Sequence, residues 1–307
     1  MMNIKENILY LLDQLPKEVK LVAVSKTKPN EAIFEAYKAG HRIFGENKVQ
    51  EMISKYEVLP KDIQWHMIGH VQSNKVKYMA PFVTLIHGVD SLKLLKEINK
   101  QALKNNRVID CLLQLHIASE SNKFGLSKIE CIEALIAAES LENVTIKGLM
   151  GMATFTNDNC QIEQEFNGLK ELYDQLAKQY GEFEVLSMGM SGDYEIAIAK
   201  GSNMIRVGSK IFGERNYWFM YAILDIETTG GKFNEEGITE IAIYRHNGLE
   251  VTDQFISLVN PEREIQPFVQ KLTGINSKML RSAPRFFEIA KRIIEICLLY
   301  TSPSPRD

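Results

Sequence analysis

Residues 22–29 read VAVSKTKP, a short β-branched run that ends on Lys26 just before a helix start. Far downstream, residues 185–213 read VLSMGMSGDYEIAIAKGSNMIRVGSKIFG, two more strand-then-glycine units with Ser191, Arg206, Gly208 and Ser209 at their ends. A lysine ending a buried strand is desolvated, which lowers its pKa and favours imine formation with an aldehyde. Small-residue pairs after strands turn backbone N–H groups toward an anion. Taken singly, Lys26 reads as a solvated charge and each Gly-Ser pair as ordinary turn chemistry. Together they suit one ligand that carries both an aldehyde and a phosphate. The expectation is pyridoxal 5′-phosphate, held as a Schiff base on Lys26 with Ser191, Gly208 and Ser209 around its phosphate.

Other residues refine this reading. Arg206 is placed to contact a pyridine nitrogen; because arginine keeps its proton, that nitrogen stays unprotonated and the ring is a weak electron sink. His66 and His87 stand at strand ends, where a structural role competes with a binding one. Met188 and Met190 read as packing against the cofactor ring or as plain core. Lys28, next to Pro29, reads as pointing to solvent.

These residues need a frame that gathers strand ends. Strand runs are expected at 20–25, 42–44, 64–68, 84–88, 109–117, 144–149, 184–188 and 204–207. Helices fall between them, for instance at 31–39, 91–104 and 161–179, with Gly40 as a left-handed stop for the first. Continuous apolar strands alternating with amphipathic helices imply a parallel sheet covered by helices. The fold class is α/β, and eight such units close into a TIM barrel, whose chemistry sits at the C-terminal strand ends; a leading helix from 3–15 packs outside. No GxGxxG follows the first strand, which counts against an open dinucleotide-binding sheet.

Composition is that of an ordinary globular protein: 307 residues, 45% hydrophobic, 24% charged and a net charge of -3. That balance carries no electrostatic footprint for nucleic acid. The four cysteines, Cys111, Cys131, Cys160 and Cys297, lie far apart without CxxC or CxH spacing, so idle thiols in a reducing cytoplasm are expected. Neither a signal peptide nor a membrane span is legible, which also points to the cytoplasm.

VSKTKP (24–29), FGENKVQE (44–51), WHMIGHVQSNK (65–75), SNKFG (121–125), GLMGMA (148–153) and LSMGMSGDYEIAIAKGSNMIRVGSKIFGER (186–215) together resemble the YggS/PROSC family of pyridoxal phosphate homeostasis proteins. The resemblance runs from about residue 3 to 217. It implies a barrel of the alanine-racemase N-terminal type, with Lys26 carrying the cofactor, Arg206 facing the ring nitrogen, and Ser191, Gly208 and Ser209 on the phosphate. It also implies that Asn47 sits beside the ring and that Lys123 helps cofactor transfer or regulation. Family members bind the cofactor as monomers without an established substrate, which implies a carrier serving PLP-dependent apo-enzymes.

Near residue 217 the character changes. YAILDIETTG (221–230) sets Asp225 and Glu227 two residues apart on one strand, hence on one face, a spacing that suits shared coordination of divalent metal. Hairpin strands are expected at 238–244 and 250–258, joined through Asn247-Gly248, with a helix at 286–296. With ITEIAIY and KLTGI (271–275), the segment resembles the first motif of the DnaQ-like DEDD exonucleases, a ribonuclease-H-like α/β fold. The later motifs are missing, so Asp225 and Glu227 read as an incomplete metal site that would use Mg2+ or Mn2+ only in a complete module. Nucleic acid is expected to bind only through such a module.

The domains are therefore read as a PLP-binding barrel over 1–217, a truncated exonuclease module over 218–296 and a non-native-looking tail over 297–307. The alternatives kept open are a PLP-dependent, racemase-like amino-acid enzyme and a fusion with 3′–5′ exonuclease activity.

Overall fold

The computed structural model describes residues 3–120, 124–181, 183–213, 221–231, 236–246 and 250–297. The chain divides into two compact units, Met1–Glu214 and Arg215–Asp307. The boundary expected at 217, the Asn247-Gly248 turn, Lys123 and nearly all of the tail lie outside the described residues.

The first unit is a closed, all-parallel barrel in sequential order. Its strands are β1 (Lys20–Val24), β2 (Ile43–Glu46), β3 (Gln64–Met67), β4 (Leu85–Val89), β5 (Ile109–Leu115), β6 (Val144–Gly151), β7 (Val185–Ser187) and β8 (Met204–Val207). Its helices are α1 (Ile4–Gln14), α2 (Asn30–Lys38), α3 (Val49–Val58), α4 (Val76–Met79), α5 (Leu92–Lys104), α6 (Lys128–Ala138), α7 (Asn159–Tyr180), α8 (Tyr194–Ala199) and α9 (Ser209–Phe212). Local signals start several of them. Asn3 with Glu6, and Ser127 with Glu130, form capping boxes at α1 and α6, and Ser91 caps α5. Gly40, at φ +98, follows α2 in a conformation that a side chain disfavours.

Strand alternation divides the core into two layers. Leu21, Ala23, Trp65, Ile86, Leu113, Leu186 and Ile205 pack outward with the helices. Val22, Leu85, Leu112, Met150, Val185 and Met204 form a separate cluster, an apolar plug inside the barrel. Two residues beyond four of these plug residues come His87, Gln114, Ser187 and Arg206, all buried. A period of two puts them one layer higher, toward the C-terminal mouth.

The second unit is an antiparallel sheet ordered β11-β10-β9, from β9 (Tyr221–Thr228), β10 (Ile238–His246) and β11 (Val251–Leu258). Three helices follow: α10 (Pro267–Thr273), α11 (Ser277–Leu280) and α12 (Phe286–Cys297). Ile241, Ile243, Val259 and Ile296 form its buried centre, while Ile223, Leu224 and Ile226 of the edge strand β9 are exposed. All four cysteines are free thiols. Among the described residues, no helix is long and apolar enough to cross a membrane.

Candidate functional site

β1 pairs with β8 in the register Ala23↔Val207, which sets Val24 beside Gly208. A Cβ built on Gly208 would stand 3.3 Å from the Val24 carbonyl oxygen, so the β8 loop lies close against the end of β1 and any side chain there would be tightly packed. The Gly208 N–H donates to the Ser191 hydroxyl at 3.1 Å, tying together the loops after β7 and β8. Lys26 follows β1 by two residues and is half-buried. The barrel thus brings Lys26, Ser191, Gly208 and Ser209 to one end of three neighbouring strands, β7, β8 and β1. Asn47 follows β2 at the same end. Gly69 lies against it: a Cβ there would fall 2.7 Å from the Asn47 carbonyl oxygen.

Below the mouth a polar chain crosses the interior. Arg206 Nη1 donates to Ser187 Oγ at 2.6 Å and Nη2 to the Gly151 carbonyl at 3.0 Å. Ser187 Oγ lies 3.0 Å from His87 Nδ1, and His87 Nε2 lies 3.0 Å from His66 Nδ1. Arginine only donates, so the serine proton is left for His87 Nδ1, and His87 Nε2–H then donates to His66. Burial keeps both imidazoles neutral: it holds His66 down at about 3, helped by the Lys20 and His41 charges, and His87 well below its ordinary value. Burial also lowers Arg206 to about 10, which leaves it a cation at neutral pH.

A second network lies under β1. Lys55 Nζ donates to the Ser25 carbonyl at 2.8 Å, to Glu46 Oε1 at 2.8 Å and to Glu51 Oε1 at 2.6 Å. Glu46 is fully buried, and burial pushes its carboxyl up to about 7 against the pull of Lys55. Sequence reasoning missed this lysine. The available signal was its place on the buried stripe of α3 with Val49 and Met52, at a spacing of three.

One expectation is corrected, and for Met188 one of two readings is selected. Lys28 does not reach into solvent: its ammonium donates to the Phe212 and Gly213 carbonyls at 3.1 and 3.2 Å, because those carbonyls end α9 and attract a cation. Met188 is fully buried in the layer between strands and helices, apart from the interior chain, so it packs as core; Met190 is partly exposed.

The profile of the family described as alanine racemase, N-terminal domain, matches residues 1–216. The pyridoxal phosphate homeostasis protein of Vibrio alginolyticus is 38% identical over 232 residues, covering 71% of this chain and 100% of the relative. The chain belongs to the pyridoxal phosphate homeostasis protein family. Another family member, from Aquifex aeolicus (strain VF5), is 42% identical over 200 residues, covering 64% of this chain and 88% of its own length. PipY of Synechococcus elongatus PCC7942, another similar protein, was solved with PLP bound; it is 36% identical with a TM-score of 0.64, covering 69% of this chain and all (100%) of PipY.

In the second unit the exonuclease family profile matches residues 222–299. Asp225 and Glu227 both lie on β9, facing Ala242 and Glu240 across the ladder. Among the described residues no group of three or more His, Cys, Asp or Glu gathers to hold a metal ion. Two carboxylates are too few ligands for a two-metal site, so no hydrolytic step is assigned to them.

Proposed function

We propose that the barrel binds pyridoxal 5′-phosphate at its C-terminal mouth and serves as an intracellular carrier in PLP homeostasis. The hydrogen bond between Gly208 and Ser191, beside the end of β1, carries this reading. It joins two loops that offer hydroxyl and N–H groups to a phosphate, next to the turn that bears an amine. The residues fit the group: a Cβ on Gly192 would meet nothing within 4 Å, so the loop after β7 has open space before it. The names of the relatives, and the cofactor bound to PipY, support the same ligand.

When bound, PLP supplies an aldehyde carbon that condenses reversibly with a primary amine, forming one C=N bond and releasing one water. Lys26 presents the amine. Ser191, Gly208 and Ser209 hold the phosphate, and Asn47 lies beside the ring. Arg206 faces the ring nitrogen as a fixed donor, held in orientation by Ser187 and by Gly151, with His87 and His66 behind. A permanent cation there leaves the nitrogen without a proton, which disfavours carbanion chemistry and favours holding the cofactor. Reversible attachment allows release to apo-enzymes in the cytoplasm, and a monomer suffices for the whole site.

Absorption spectroscopy tests the reading. After free cofactor is removed by desalting, the chain incubated with PLP retains a near-visible band, and Lys26→Ala abolishes it. No band with the wild-type chain, or a band that survives Lys26→Ala, defeats the proposal.

A further inference from the structure

Lys26 sits in a turn whose backbone is held on both sides. Before it, the Ser25 carbonyl accepts from Lys55 Nζ at 2.8 Å, and the Ser25 hydroxyl donates to Glu46 Oε1 at 2.5 Å. After it, the Thr27 N–H donates to Glu51 Oε1 at 2.6 Å. Thr27 has φ +63, a left-handed conformation that a β-branched residue adopts only when its surroundings enforce it. The two holds are one object. The Lys55 ammonium spends its three protons on Ser25, Glu46 and Glu51, so a single buried cation links the residues that grip either side of Lys26.

This arrangement matters because condensation is sensitive to placement. The phosphate loops set where an aldehyde carbon lies, and the amine must reach it within about half an ångström of the productive position. A turn in a disfavoured conformation does not stay there unaided. We propose that Glu51 and Lys55 are positioning residues: they hold the Ser25–Thr27 backbone so that Lys26 meets the aldehyde, without touching the cofactor themselves. The proposal rests on the reading of Lys26 as the covalent anchor.

The test compares two ligands. PLP can condense with Lys26; pyridoxine 5′-phosphate, its alcohol analogue, shares the ring and phosphate but has no aldehyde. Titrations of both into wild type, Glu51→Ala and Glu51→Gln give the preference for PLP in each. Glu51→Ala is expected to lower that preference about tenfold, the worth of one hydrogen bond to a charged group, and Glu51→Gln, which keeps an acceptor for Thr27, to restore most of it. Glu51→Asp, which withdraws the acceptor by one methylene, gives the same reading if the alanine variant does not fold. An equal fall for both ligands, or none for either, overturns the proposal. A wild-type chain that shows no near-visible band and no preference for PLP fails earlier, at Lys26 itself, and that failure is recognisable without any Glu51 variant.

Discussion

The Gly208 N–H donates to the Ser191 hydroxyl at 3.1 Å, across the gap between the loops that follow β7 and β8. These residues are 17 positions apart in sequence, and the bond makes their loops one surface. Ser191→Ala removes the acceptor and any hydroxyl contact with a phosphate. Its affinity for PLP is expected to fall roughly tenfold, with little change in thermal midpoint because the loop is not core. An unchanged dissociation constant in a fluorescence titration would remove Ser191 from the phosphate site.

The Arg206–Ser187–His87–His66 chain is closed to solvent, so each missing partner is felt. Ser187→Ala strands Arg206 Nη1 and His87 Nδ1 together. A loss of about 1–3 kcal/mol in urea unfolding is expected. A variant as stable as wild type would mean that the chain contributes nothing to holding Arg206.

Acid lowers stability through the same histidines. The unfolded chain takes up a proton on His66 near pH 6.5, whereas the folded chain refuses it until about 3. In that window the unfolded state binds more protons, so stability is fully present above 6.5 and declines as pH falls toward 3. At about pH 5 the loss attributable to His66 is about 2 kcal/mol, and His66→Gln should flatten the decline between about pH 7.5 and about pH 5. Equal slopes in denaturant titrations of the two proteins would refute this.

Glu46 acts in the opposite sense. Its folded value, about 7, lies above the ordinary 4.5, so its contribution is present below 4.5 and is lost as pH rises toward 7. Glu46→Gln keeps acceptors for Lys55 and Ser25 and removes the titration. Relative to wild type, the variant should gain stability at about pH 8 compared with about pH 5; calorimetry at both values checks the trend.

Gly69 is dictated by close approach. A methyl there would sit 2.7 Å from the Asn47 carbonyl oxygen and 2.9 Å from its Cα, both backbone atoms that cannot step aside. Gly69→Ala is expected to destabilise by about 1–3 kcal/mol and to weaken PLP binding by moving Asn47. Unaltered binding would detach Asn47 from the ring.

Much of the barrel was legible because its signals are local. The run KLVAV, the caps at Asn3, Ser91 and Ser127, and the stop at Gly40 each act within a few residues. Most strand limits still shifted by one or two positions, as at β6, where pairing with β5 continues to Gly151. Lys28 was misread because the carbonyls it meets are 184 and 185 positions away.

The sequence alone determined the chemical inventory: amines after the first strand, small residues after the last two, and a guanidinium between them. Residue type and local spacing suffice for that. Only the tertiary structure decided that Ser191 reaches Gly208, that two histidines and a serine stand behind Arg206, and that Lys55 joins Glu46 and Glu51 beneath Lys26. Those contacts arise from closing the sheet, which sets β8 beside β1 and buries charges whose worth depends on neighbours that no local pattern encodes.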